Sequence, residues 1–178
     1  MRSIVAACAS DEIPAEVRVV IAPSSSIPAA EYARNQNIPV KVITPGEGYE
    51  EQLLDTLEGR DLVCLAGYTR LLPMSVLEAH PQHVLNIHPA LLPKFGGVGM
   101  FGLHVHRAVL ASGDRESGCT VHFVTERYDE GETILQLRCP VYPSDTPEEL
   151  AARVLDLEKL AYPAAIATVI NGTSFQSP

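Results

Sequence analysis

Asn86, His88 and Asp129 are the residues whose types and spacing could act on a carbonyl group. Asn86 and His88 flank Ile87, and on extended backbone alternate side chains share a face, so the amide and the imidazole point the same way while Ile87 anchors the other side. Pro89 biases His88 toward extended conformation. A strand that stops at His88 would therefore present it at its carboxyl end, where open α/β sheets place their ligands. Asp129-Glu130-Gly131, further along the chain, can supply a carboxylate. No serine or cysteine nucleophile stands beside these residues in a recognisable elbow, so the pattern suits a reaction without a covalent enzyme intermediate. A bound amine attacks a carbonyl held against donors from Asn86 and His88, while Asp129 orients the imidazole and helps the proton leave. Singly, each residue has an ordinary explanation: a capping asparagine, a satisfied histidine, an aspartate holding its own turn. Their combination at one strand end points to catalysis.

The elements that must position them are legible in the apolar runs. Val17 to Ala22, Val40 to Ile43, Leu62 to Ala66 and His83 to Ile87 read as short strands. They alternate with helical stretches at Ala29 to Asn35, Tyr49 to Leu57 and Met74 to Ala79. This alternation predicts an α/β fold with a mostly parallel, Rossmann-like sheet and crossover helices. The unbroken apolarity of Leu62-Val63-Cys64-Leu65-Ala66 predicts a central strand covered on both faces. After His88 the pattern changes to a glycine-rich loop, a helix from Leu103 to Ala111, and two strands, Cys119 to Thr125 and Thr133 to Val141, expected to pair antiparallel. Thr146-Pro147-Glu148-Glu149 opens a long terminal helix: Thr146 is the cap, Pro147 sits in the first turn, Glu149 reaches back, and Leu150, Val154, Leu157 and Ala161 recur on one face.

The chain has 178 residues and a formal net charge of −9, with scattered lysines and arginines. That predicts a single domain over residues 1–178 and disfavours a nucleic-acid partner. Cys8, Cys64, Cys119 and Cys139 lack paired spacing and read as reduced thiols of a cytoplasmic protein. The apolar runs are too short to span a bilayer, so no membrane role is expected.

The set Asn86-Ile87-His88-Pro89-Ala90-Leu91-Leu92-Pro93, the loop Lys94 to Gly102, Gly102-Leu103-His104-Val105-His106, and Val121-His122-Phe123-Val124-Thr125 with Asp129-Glu130-Gly131 resembles the phosphoribosylglycinamide formyltransferase family over nearly the whole chain. The resemblance implies transfer of formyl from 10-formyltetrahydrofolate to the glycinamide amine of a purine precursor, without metal, with Asn86, His88 and Asp129 as the catalytic trio. It places Thr69, Arg70, Leu71 and Leu72 against the folate ring, with the loop from Thr125 to Asp129 on its other side. Apolar Leu71 and Leu72 and the close approach allowed by Gly67 suit a flat heterocycle. The resemblance also implies that Glu158 and the backbone of Pro89 meet the glycinamide portion, and that His104 lies near the catalytic aspartate without touching substrate. As a metal pair, His104 and His106 are poorly spaced, because helical residues two apart do not face one another.

Gly97-Val98-Gly99-Met100-Phe101-Gly102 fits the dinucleotide fingerprint literally, but no strand directly precedes it and no acidic residue follows to meet a ribose. These glycines are expected to form a mobile loop that folds over substrate. Family members open on a strand and a glycine, serine and asparagine turn that holds a phosphate. Here Arg2 to Ala9 already reads as the following helix, so that strand and turn are expected to be missing, leaving an interior gap in the sheet. A start codon assigned too late is the favoured account, and an inactive folate-binding remnant the alternative. Two relatives with the same formyl-handling core compete less well: a transferase acting on initiator tRNA would carry a further basic domain, and a formyltetrahydrofolate deformylase a preceding regulatory one.

Overall fold

Residues 1–172 are described by a computed structural model. The expected domain over 1–178 and its polar tail from Asn171 to Pro178 therefore extend outside the described residues. In chain order the elements are α1 (Arg2–Ala9), β1 (Val20–Ala22), α2 (Pro28–Asn35), β2 (Val40–Val42), α3 (Tyr49–Leu57), β3 (Val63–Leu65), α4 (Met74–Ala79), β4 (Val84–His88), α5 (Leu103–Ser112), β5 (Glu116–Phe123), β6 (Thr133–Pro140) and α6 (Pro147–Ile170).

The alternation of strands and helices places β1 beside β2 in one parallel pair, and β3, β4, β5 and β6 in that order in a mixed sheet. There β3 and β4 run parallel, as crossover connections require, while β4–β5 and β5–β6 are antiparallel. One expectation fails. The run from Leu62 to Ala66 is not central, since among the described residues β3 pairs only with β4, and its three residues are half-buried. Apolarity on both faces is matched by packing on both, but a strand's position in a sheet depends on lateral hydrogen bonds that its side chains do not encode. The two-sided cover falls instead on β5, where Ser117 to His122 are all buried.

Helix α6 carries the main core. Its start is the capping box read from the sequence, with Glu149 N donating to Thr146 Oγ1 at 3.2 Å and Thr146 N donating to Glu149 Oε2 at 2.8 Å. Leu150, Val154 and Ala161 are fully buried against Leu85, Cys119 and Val121 of the sheet. Burial of each large aliphatic side chain there contributes about 1.5–3 kcal/mol. Tyr162 fixes the helix across two strands: its hydroxyl lies 2.8 Å from Leu65 O and 3.0 Å from Leu85 O. A second cluster, built on Leu53, Leu57, Val76 and Val84, packs α3 and α4 on the sheet. Among the described residues no helix is long and apolar enough to cross a membrane.

Candidate active site

Strand β4 ends on His88, followed by Pro89, so the imidazole stands at the carboxyl end of the sheet as the sequence predicts. Asn86 and His88 share a face, and in the antiparallel ladder they stand opposite His122 and Thr120. A bulge next to His122 breaks the β5–β6 register, re-aiming this end of the strand. The connection then returns over β4. Gly131 makes that possible, because a Cβ there would overlap the carbonyl oxygen of Phe123. Asp129, in left-handed conformation at φ 58°, brings its carboxylate Oδ2 to 3.5 Å from His88 Nδ1 and Oδ1 to 3.6 Å from His122 Nε2. The three residues singled out in the sequence meet in one place.

Hydrogen bonds fix the orientation of this group. A backbone carbonyl can only accept, so His122 Nδ1, 2.8 Å from Phe123 O, carries the proton of the neutral ring. Its Nε2 is then a lone pair, and at 3.2 Å it accepts from Asn86 Nδ2, which settles which way the Asn86 amide faces. His122 Nε2 also lies 3.6 Å from Asp129 Oδ1, beyond direct hydrogen-bond distance, and the two form an ion pair only when the ring is protonated. Burial lowers the His88 pKa below its ordinary value, against the opposing pull of the Asp129 carboxylate and the Phe95 carbonyl. For Asp129 burial alone would raise the value. Contact with His122, the bond from Gly97 N and the neighbouring imidazoles outweigh it, and the carboxyl is held below its usual range. The carboxylate is therefore ionised and the imidazole neutral near neutral pH, so the ring is free to take up a proton and the carboxylate stands beside the imidazolium that results.

These groups open on a cavity of about 450 Å³. One wall is Thr69, Arg70, Leu71 and Leu72, reached through Gly67 at φ 73°. Val124, Thr125, Arg127, Tyr128 and Asp129 also line the cavity. Pro89 and Glu158 line it too, and burial raises the Glu158 pKa. The glycine loop, Gly97 to Gly102, forms the rim, with Val98 85% and Phe101 49% exposed. It follows no strand directly and leads into α5, as expected of a loop that is not a dinucleotide site. His104 is exposed, packs edge-on against Phe101 with ring centroids 5.7 Å apart, and is not in the cavity wall. A wider surface recess of about 650 Å³ at the start of α3 displays Glu50, Glu51 and Asp55, but neither an imidazole nor an amide.

Sequence reasoning missed two side chains and two backbone contacts. His122 is revealed only by the β4–β5 register. His106, buried and with Nδ1 unpartnered among the described residues, lines the cavity. The backbone of Phe95 and Gly97 binds two of the trio, with His88 Nε2 2.8 Å from Phe95 O and Gly97 N donating to Asp129 Oδ2 at 2.9 Å. Backbone groups carry no signature in the sequence.

A family model described as formyl transferase matches residues 1–166. The chain is 43% identical over 176 residues to the chloroplastic phosphoribosylglycinamide formyltransferase of Arabidopsis thaliana, covering 94% of this chain and 60% of that protein. It is 34% identical over 179 residues to the phosphoribosylglycinamide formyltransferase of Escherichia coli (strain K12), covering 97% and 82%. Among solved structures, glycinamide ribonucleotide transformylase 1 from Symbiobacterium toebii superimposes with a TM-score of 0.88 at 39% identity, over 96% of this chain and 82% of that one. The chain spans 60% and 54% of the lengths of the chloroplastic relatives from Arabidopsis thaliana and Vigna unguiculata.

Proposed function

Because the chain belongs to the formyl transferase family, we propose that it moves the formyl group of 10-formyltetrahydrofolate to the amine of 5-phosphoribosylglycinamide, a step of purine biosynthesis. The observation that carries this reading is the convergence of Asn86, His88 and Asp129 on one cavity. The Asn86 amide, aimed by His122, polarises the formyl carbonyl, and His88 joins it as a donor once its ring has taken up a proton. The amine attacks, a tetrahedral oxyanion forms against those donors, and the bond to the folate N10 breaks. The proton lost by the amine passes through His88 and Asp129 to the departing nitrogen, so neither metal nor oxidant is consumed.

Thr69 to Leu72 and Thr125 to Asp129 are the folate walls in this reading. Pro89 and Glu158 face the glycinamide, and His104 acts indirectly by supporting Phe101 at the rim. The partners are small molecules, with neither nucleic acid nor membrane, and the place of action is the cytoplasm; cell fractionation tests the last point. Residues 1–178 act as one formyltransferase domain.

Purified protein with both substrates should form tetrahydrofolate only when the amine is present. Formate released without amine would identify a deformylase, and folate-analogue binding without transfer an inactive remnant.

A further inference from the structure

The segment after β4 is tied down before it reaches the glycine loop. Thr120 Oγ1 donates to Ala90 O at 2.7 Å and accepts from Leu92 N at 3.0 Å, while Gln136 Nε2 donates to Leu92 O at 2.9 Å. From this base the chain enters Phe95, whose side chain packs on the main core although its backbone sits at φ 59°, a conformation that non-glycine residues rarely adopt. Gly96 then lies against the catalytic carboxylate: a Cβ there would stand 3.1 Å from Asp129 Cβ and 2.6 Å from Leu92 Cδ2. The result is a turn whose carbonyl meets one catalytic side chain and whose next amide but one meets the other.

The geometry points to the Phe95-Gly96-Gly97 turn as a positioning device that fixes which nitrogen of His88 does the chemistry. Phe95 O can only accept, so His88 Nε2, 2.8 Å away, must hold a proton in both the neutral and the charged ring. Nδ1 is therefore the nitrogen that takes up and returns the proton, and it is the one facing Asp129 at 3.5 Å. Gly97 N completes the arrangement by holding Oδ2 of the same carboxylate. The other titratable groups around His88 are His122 on β5 and His106 on α5. Neither bonds the His88 ring, so Phe95 O is the group that sets the tautomer. The inference rests on the formyl-transfer reading for its catalytic consequence, but its structural content stands apart from that reading.

Two experiments test it. In the wild-type chain labelled with 15N-histidine, the ring signals lost in His88→Gln identify His88. The neutral form should carry its proton on Nε2, and a neutral form protonated on Nδ1 would overturn the inference whatever the enzyme does. Gly96→Ala separates the turn from Asp129 by a few tenths of an ångström and should lower kcat about tenfold with KM for the folate donor little changed. It should also move the acid limb of the kcat profile to lower pH, because the Phe95 carbonyl raises the His88 pKa. An unchanged kcat, or a loss that follows the folded fraction with the limb unmoved, would reduce the turn to a structural role. Absence of transfer in the wild type would defeat the functional reading and leave the NMR result to decide the tautomer.

Discussion

The two sides of the cavity are built differently. On the β4–β5 side each group of the candidate site is held, directly or through a neighbour, by backbone: His122 by Phe123 O, Asn86 through His122, His88 by Phe95 O and Asp129 by Gly97 N. On the rim, Val98 and Phe101 are 85% and 49% exposed apolar side chains among glycines at positive φ. In the proposed transfer charge develops on the first side, and donors already in place there cost no reorganisation. In the same reading the rim meets a ligand that arrives and leaves, and a yielding rim would serve that traffic. Substitutions should accordingly divide into losses of kcat on one side and rises in KM on the other.

The largest effects fall on the proton-transfer pair. His88→Ala and Asp129→Asn should each lower kcat by about 100-fold to 10,000-fold while equilibrium binding of a folate analogue stays within a few-fold of wild type. Asp129→Asn keeps the shape of the side chain, so its loss reports the charge. Near-normal turnover in either variant would remove this pair from the chemistry.

The same division marks what was legible in the sequence. Asn86 and His88 could be placed because Pro89 ends the strand locally and alternate residues share a face, and the start of α6 because its capping box spans four adjacent residues. His122 could not be placed, since its partner follows from a long-range register and a bulge. The edge position of β3 was hidden for a related reason: its side chains record burial, not lateral neighbours. Gly131 was visible as part of a motif, but its necessity is a collision with Phe123 O across the strand. The Phe95 carbonyl lay beyond reach because every residue has one.

Asn86 comes next in size. Asn86→Ala removes a donor to the oxyanion and should lower kcat about 100-fold to 1000-fold, more than it alters KM. His122→Phe frees the amide without deleting it and should cost less. If His122 acts through Asn86, adding His122→Phe to Asn86→Ala should change kcat little further, and full additivity in that cycle would assign His122 an independent role.

On the rim, Phe101→Ser should raise KM for the folate donor about tenfold and leave kcat at saturation near wild type, since the ring offers apolar contact to ground state and transition state alike. It would also remove the edge contact with His104. A fall in kcat at unchanged KM would place the rim in the chemistry and erase the contrast between the two sides.

The smallest effect concerns stability. Burial raises the Glu158 pKa, so the native chain binds that proton more tightly than the unfolded chain does. Ionisation therefore opposes folding: the cost is absent below the unfolded-state value and fully present above the raised native one. Glu158→Gln removes it, and the variant should melt roughly 2–4 °C above wild type at neutral pH for each kcal/mol relieved, with the advantage shrinking as the solution is acidified through the raised value. The same substitution should weaken binding of the amine substrate, because a carboxylate kept in an unfavourable place is recovered as affinity when a cationic or hydrogen-bonding group meets it. A variant both less stable at neutral pH and unaltered in amine KM would show that Glu158 belongs to the packing of α6 and not to the cavity.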